Sequence, residues 1–207
     1  MARDLQSIVK RSRREGYALH PKAHKALVKR SGPPGQAAAD GGRRRPKASQ
    51  YSVQLREKQK VKRLYGLLER QFAKLMNEAS RTKGQSGVTL LQFLERRLDN
   101  VVYRAGFGVS RRAARQLVTH GHFTLNGRRI DIPSIRAVPG DVIELRDHGK
   151  NTQYFKQIDV TSPAPASVPA WLKVDRKKFL ITVTGLPTRD DAEPDIKEQL
   201  IVEYYSR

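Results

Sequence analysis

Apolar residues recur at helical spacing from residue 52 onward. Over 52–80 they repeat with a period near 3.6, which predicts an amphipathic helix, and Gly66 divides that helix into two pieces. The apolar positions are Leu55, Leu64, Leu67, Leu68, Phe72, Leu75 and Met76. Because such spacing is typical of a core-facing stripe, we expect these residues to form core rather than a binding site.

Residues 88–105 carry the most regular apolar stripe, and the pattern predicts one continuous helix that Gly106 ends. Four polar residues fall on the side of this helix away from the stripe: Glu95, Arg96, Asp99 and Asn100. A further helix is predicted over 111–119, where Ser110 is a favourable N-cap.

Short strands are predicted after these helices. Phe123–Leu125 precedes Asn126-Gly127, a pair that favours a type I′ turn and therefore a β-hairpin. A third strand is expected over 142–145, and a second hairpin joins Leu172–Val174 to Phe179–Val183. The chain then closes with a short helix predicted over 195–205.

The first fifty residues lack a comparable apolar pattern. Gly32-Pro33-Pro34-Gly35 and Gly41-Gly42 interrupt any helix there, so we expect 1–50 to be an extended, irregular and basic segment. Two interpretations are open for it: a solvated tail, or an extension that orders against a phosphate backbone. Its charge favours the second.

The net charge of the chain narrows the classes of partner that it could bind. The 207 residues include 41 Lys and Arg against 20 Asp and Glu, a net charge of +21. Residues 1–63 hold 18 basic and 4 acidic residues, 64–149 hold 14 and 8, and 150–207 hold 9 and 8. The excess predicts a polyanionic partner, nucleic acid first and an anionic membrane surface second, that meets the first two-thirds of the chain.

Several classes of site find no support in the sequence. The absence of cysteine excludes disulfides, thiolate zinc sites and cysteine catalysis. The pair His120 and His122 lacks further metal ligands, so we expect packing roles, no metal and no cofactor. We find no catalytic cluster and no apolar run of membrane-spanning length, which indicates a cytosolic protein without a membrane anchor. A cleaved organellar transit peptide is left open.

Arginines are the strongest functional signal. Arg111 and Arg115 lie one turn apart on the 111–119 helix with Arg112 beside them, and few acidic residues lie nearby in the sequence. Arg104 and the Arg128-Arg129 pair are expected on the same side of this module. Guanidinium groups match phosphate oxygens, so the pattern predicts recognition of folded RNA by its shape and backbone.

Longer motifs resemble a known family. Residues 96–146 resemble the alpha-L RNA-binding module, and most of 33–207 is similar to the bacterial type of universal small-subunit ribosomal protein number four. The segments that carry this resemblance are Val53–Val61, Tyr65–Gly66, Glu69–Phe72, Arg97–Arg104, His120–His122, Ile132–Ser134, Trp171–Leu172 and Glu198–Ser206.

The resemblance implies an α+β fold in three parts. An extended basic N-terminal segment over 1–50 precedes a helical first domain over 51–95, against which the C-terminal helix, 195–207, packs back. The alpha-L RNA-binding module with a small antiparallel sheet follows over 96–190. Because the four zinc-binding cysteines of many relatives are missing, the chain resembles the zinc-free form.

The resemblance also implies a role in the cytoplasmic ribosome, with an organellar ribosome left open. The implied partners are the 5′ domain of small-subunit rRNA, neighbouring proteins including small-subunit protein number five, and mRNA where it enters the subunit. The implied roles are early assembly and decoding accuracy. Some relatives also repress translation of their own operon, which leaves the same role open here.

Site residues follow by position from the same resemblance. Residues implied to bind rRNA are Arg11, Arg13, Arg14, Lys58, Lys60, Lys62, Arg63, Arg104, Arg111, Arg112, Arg115 and Arg128. Residues implied to face the mRNA channel are Arg44, Arg45 and Lys47.

Three other functions compete with this interpretation. An RNA-modifying enzyme would need a separate catalytic domain, for which the remaining segments leave no room. A ribosome-associated stress factor would be shorter and would lack the helical first domain. Nonspecific DNA compaction fits the composition but not the motifs.

Overall fold

A computed structural model describes residues 6–30, 32–35 and 48–206. These residues divide into two compact units: the chain up to Leu90 together with Asp195 onward, and Leu91–Pro194. We call them the helical unit and the sheet unit. None of the described helices combines the length and apolar character needed to cross a bilayer.

The described residues form helices and strands with the following bounds: α1 Ile8–Glu15, α2 Pro21–Lys29, α3 Gln50–Leu64, α4 Glu69–Arg81, α5 Ser86–Glu95, α6 Leu98–Arg104, α7 Arg111–Thr119, β1 Phe123–Leu125, β2 Arg128–Ile130, β3 Val142–Leu145, α8 Asp147–Lys150, α9 Gln153–Lys156, α10 Ile158–Thr161, β4 Leu172–Asp175, β5 Leu180–Val183 and α11 Glu198–Tyr205. The α+β class is therefore confirmed, as is the break between α3 and α4, where Gly66 has a φ of 67°.

The prediction that residues 1–50 are extended is wrong for α1 and α2. A tertiary contact explains the difference: Ser12 is buried, and its Oγ donates to the Ile8 carbonyl and accepts from the Leu19 N–H at 3.2 Å. Leu19 and Ala23 are buried beside it. Pro21 opens α2 at a position where its missing N–H costs nothing.

In the helical unit, α11 packs on α3 through polar as well as apolar contacts. Gln54 donates to Glu203 at 2.7 Å, and the Lys58 ammonium lies 4.4 Å from the centre of the Tyr204 ring. Ile201 on α11 and Val61 on α3 are fully buried. The last helix is thus tied to the unit by a buried cation as well as by apolar area.

The predicted continuous helix over 88–105 is also wrong, because it breaks at Arg96 and Arg97 into α5 and α6. At the break, the backbone forms hydrogen bonds with the segment 135–137. The Ala137 N–H donates to the Arg96 carbonyl, and the Leu98 N–H donates to the Ile135 carbonyl, both at 2.8 Å. These bonds replace the helical ones that would have joined the two pieces.

The sheet of the sheet unit is antiparallel throughout, in the order β2-β1-β3-β5-β4. Both predicted hairpins are confirmed. Asn126 and Gly127 have φ values of 51° and 77°, as a type I′ turn requires. Phe107, Phe123 and Ile143 are fully buried in the core between the sheet and helices α6 and α7.

Gly108 allows a close approach on which this core depends, and its replacement is our first prediction. A Cβ there would lie 2.8 Å from the Ala114 backbone nitrogen in α7, so Gly108→Ala should destabilise the sheet unit by about 1–3 kcal/mol. Urea unfolding followed by the fluorescence of Trp171, which is buried in this unit, measures the change.

The matched control is Gly185→Ala, where the added Cβ would meet Trp171 at an ordinary 3.9 Å. Its unfolding midpoint should remain near that of the parent protein. Equal stability of the two variants would contradict the proposed close approach.

Candidate nucleic-acid interface

Helix α7 carries the arginines that the sequence singles out, and its start is fixed locally. The Ser110 hydroxyl accepts from the Ala113 N–H at 3.2 Å and caps the helix. Ala114 and Val118 are fully buried, so the apolar side of α7 faces the core of the sheet unit. The rotation of α7 is thereby set, and with it the direction of each arginine.

Arg115 points inward. Its Nη1 donates to Asp99 at 3.2 Å, and the same carboxylate accepts two bonds from Arg97, at 3.1 and 2.8 Å. All three residues are less than 9% exposed. Asp99 is therefore a buried carboxylate shared by two guanidinium groups, which lowers the cost of burying any one of these charges.

Arg104 and Arg111 belong to a second internal network, centred on Glu95. Arg104 binds the fully buried Glu95 carboxylate through two bonds of 2.9 and 2.8 Å, and Asn100 donates to the same group at 2.7 Å. Arg111 donates to the Asn100 side-chain oxygen and to Glu193, both at 2.9 Å.

One expectation is therefore corrected, and another gains a cause. Glu95, Asp99 and Asn100 lie away from the apolar stripe but are buried, because each satisfies an arginine. The view that the arginines lack acidic partners is wrong for Arg104, Arg111 and Arg115. The partner of Arg111 could not be identified from the sequence, because Glu193 lies 82 residues away.

Three other arginines of the sheet unit are solvent-facing. Arg112 on α7 is exposed, and so are Arg128 and Arg129, which follow the Asn126-Gly127 turn. The Arg129 side chain lies against Gly121, and a Cβ added at Gly121 would be only 2.9 Å from the Arg129 Nε. These cations present donors outward from rigid elements, as phosphate recognition requires.

The histidine pair has a packing role, as the sequence suggests. The His122 ring lies edge-on to the Phe155 ring, with ring centres 6.0 Å apart. The centres of the His120 and His122 rings are also 6.0 Å apart. Burial lowers the pKa of His122, and His120, His148 and Arg146 lower it further. Among the residues that the structure describes, no group of His, Cys, Asp and Glu could hold a metal ion.

In the helical unit, the basic run of α3 is largely paired. Lys58 and Lys62 both donate to Glu69 at 2.7 Å, and Lys60 pairs with Glu57 at 2.8 Å. Burial opposes ionisation of Glu69, but the hydrogen bonds from the two lysines outweigh it and lower its pKa from 4.5 to about 2. Lys58 is itself buried.

Most of the other predicted cations of α1 and α3 also bind groups within the protein, and one is exposed. Arg63 binds Glu15, whose pKa is raised by burial despite its arginine neighbours. Arg13 donates to the carbonyls of Arg30 and Gly32 at 3.2 and 3.1 Å. Arg11 donates to Gln6 at 3.3 Å, and Arg14 is exposed.

Two further groups of basic residues lie elsewhere in the chain. Arg44, Arg45 and Lys47, expected at the mRNA channel, lie outside the described residues. Sequence reasoning missed three exposed cations of α4: Arg70, Lys74 and Arg81. Their spacing by four and seven residues on a predicted helix was the signal that could have revealed them.

Comparison with known protein families accounts for most of the chain. Residues 3–95 match the family profile described as ribosomal protein S4/S9 N-terminal domain, and residues 96–143 match the S4 domain.

Similar curated proteins share both regions. A protein of Herpetosiphon aurantiacus is 50% identical, one of Chloroflexus aurantiacus is 49% identical, and both carry the name small ribosomal subunit protein uS4. A protein of Symbiobacterium thermophilum, named small ribosomal subunit protein uS4A, is 47% identical. Each alignment covers the whole of this chain and the whole of the relative.

The shared carboxylate of Asp99 generates a second prediction. Asp99→Asn removes the buried carboxylate that Arg97 and Arg115 share, so we expect the sheet unit to lose about 3–5 kcal/mol of stability. Urea unfolding monitored at Trp171 provides the measurement. Asp159→Asn is the control, because the Asp159 side chain is 88% exposed and its pair with Arg176 should contribute about 1 kcal/mol or less. Similar losses in both variants would argue against a special role for Asp99.

A third prediction concerns pH. The pKa of Glu69 is lower in the folded protein than its ordinary 4.5, so its stabilising effect is present above pH 4.5 and is lost as pH falls toward about 2. Helix content followed by circular dichroism should fall over this range, and Glu69→Gln should remove part of that dependence. Glu144→Gln, at an exposed strand position, is the control. An acid transition unchanged by Glu69→Gln would refute the assignment.

Proposed function

The chain belongs to the family of ribosomal protein S4, and we propose that it is a primary rRNA-binding protein that nucleates assembly of the small-subunit 5′ domain. The broader role follows from family membership: it is a structural, rRNA-binding constituent of the small ribosomal subunit and not an enzyme.

The observation that carries the proposal is the way charge is divided in the sheet unit. Glu95 and Asp99 are buried on interior arginines, whereas Arg112, Arg128 and Arg129 are exposed. The outward surface therefore carries these three arginines, whereas the buried carboxylates are satisfied by interior arginines. Such a surface binds RNA chiefly through phosphates and helix shape.

Base stacking has a smaller role in this proposal. Phe107, Phe123 and Phe155 pack on one another inside the core, with ring centres 6.1 to 6.4 Å apart, and are not exposed as a stacking platform. We therefore expect little reading of single-stranded bases by this unit.

The interior arginines act mainly as positioning residues. Arg115 holds α7 through Asp99 and sets the direction of Arg112. Arg104 and Arg111 keep 18% and 13% of their side chains exposed, so they lie at the rim of the basic surface and help to fix its shape. In the helical unit, Arg14 and the edge of Lys62 provide the corresponding contacts.

The finer roles rest on the family. We propose that Arg44, Arg45 and Lys47 contact mRNA where it enters the subunit, and that the protein adjoins small-subunit protein number five and contributes to decoding accuracy. Autogenous repression of its own operon is part of the same proposal. Replacing the three cations by glutamine in reconstituted subunits should slow translation through structured mRNA and leave 5′-domain binding intact.

Binding to a transcript of the 5′ domain tests the central proposal. The complex should survive moderate salt and an excess of tRNA and duplex DNA, with a salt dependence that counts the phosphates neutralised. If all three nucleic acids bind alike, the protein is only a polycation in isolation and the proposal of specific nucleation fails.

A single exposed arginine yields the fourth prediction. Arg128→Gln should weaken binding to the transcript and reduce the slope of log affinity against log salt by about 1, because one phosphate contact is lost. Lys173→Gln, an equal change of charge at an exposed position on β4, should leave the slope unchanged. Equal slopes for Arg128→Gln and the parent would remove Arg128 from the interface.

A further inference from the structure

Helix α4 carries a polar stripe that the proposed RNA-binding residues do not include. Arg70, Lys74, Asn77 and Arg81 are all exposed and occupy positions i, i+4, i+7 and i+11, so they share one face over about 16 Å of helix. The opposite face buries Phe72, Met76 and Ala79 in the helical unit. Burial of that apolar face fixes the rotation of α4 and keeps the stripe turned outward. We call these four residues the α4 stripe.

The cations of the α4 stripe differ from those of α3. Within residues 6–30, 32–35 and 48–206, no ion pair joins Arg70, Lys74 or Arg81 to a carboxylate. On α3, by contrast, Lys58, Lys60, Lys62 and Arg63 all have one. An array of cations at regular spacing that forms no ion pair with any described carboxylate is suited to an external polyanion.

The surface along the stripe is open. Three further residues of α4 and its C-terminal end line it: Ala73, Glu78 and Thr82. Ala73 is small, so an RNA strand can approach the helix between the cations. Glu78 is a single carboxylate among three cations, and this surface therefore remains positive.

We propose that the α4 stripe is a second rRNA contact, which binds the sugar–phosphate backbone of one RNA strand without reading its bases. Arginine presents forked donors that match phosphate oxygens, and the Asn77 amide can donate to a phosphate or a 2′-hydroxyl. The stripe includes no aromatic or large apolar side chain of the kind that anchors protein partners, which favours RNA over an acidic protein segment. The proposal rests on the rRNA-binding function proposed above.

Salt dependence tests the stripe. The variant R70Q/K74Q/R81Q is compared with K173Q/K177Q/K178Q, which removes the same charge from exposed positions of the β4–β5 hairpin. Three lost phosphate contacts lower the slope magnitude by about 2–3. Between 50 and 200 mM salt, the parent and the control should then lose roughly 20- to 40-fold more affinity for the 5′-domain transcript than the stripe variant does. Circular dichroism should show that all three proteins are folded.

Directed cleavage provides an independent test, because the chain has no cysteine. Asn77→Cys, labelled with an iron chelate, should cut the bound transcript within one short segment when radicals are generated. Lys173→Cys, labelled in the same way, should not cut that segment.

The outcomes separate the two proposals. If the parent binds the 5′ domain specifically but the stripe variant keeps its slope and Asn77→Cys cuts nothing, the stripe proposal is overturned and the proposed function stands. If the stripe variant keeps its slope and Asn77→Cys cuts nothing, but the variant binds another ribosomal protein more weakly than the parent does, the stripe binds a protein partner instead. If the parent shows no preference for the transcript, the nucleation proposal fails, and the stripe is still judged by its slope, because backbone binding needs no sequence specificity.

Discussion

The shared burial of Asp99 by Arg97 and Arg115 is the constraint on which the sheet unit depends. A carboxylate inside a protein is tolerated only when its charge and lone pairs are satisfied, and two guanidinium groups achieve this here. The interaction joins the start of α6 to the middle of α7 and so fixes the direction of the exposed Arg112. In the helical unit, Glu69 is the acidic partner of Lys58 and Lys62. In both units carboxylates pair with basic side chains of the protein itself, which separates these cations from the exposed ones such as Arg112.

Local rules predicted the parts of the fold that depend on neighbouring residues. Asn126-Gly127 imposes its own turn geometry, and Gly66 permits the positive φ that separates α3 from α4, so both features were visible in the sequence. The exposed position of Arg128 was also predictable, because it follows that turn directly. The general site, a basic surface on the α7 and hairpin module, could thus be inferred from the order of residues along the chain.

Long-range contacts account for what the sequence did not show. The helix break at Arg96 depends on backbone bonds from residues 135–137, and α1 is stabilised by Glu15, which binds Arg63 48 residues away. Whether an arginine is exposed or binds a carboxylate depends on partners distant in the sequence, as Glu193 is for Arg111. Charge patterning therefore locates a basic module but does not distinguish its interior arginines from its exposed ones.

The central claim is this division of the arginines, and chemical modification tests it most directly. Phenylglyoxal labelling of the free protein and of its 5′-domain complex, analysed by mass spectrometry, reports the accessibility of each guanidinium group. Arg70, Arg81 and Arg128 should react in the free protein and be protected by RNA, whereas Arg97 and Arg115 should resist labelling in both states. Ready labelling of Arg97 or Arg115 in the free protein, with protection only by RNA, would contradict the account.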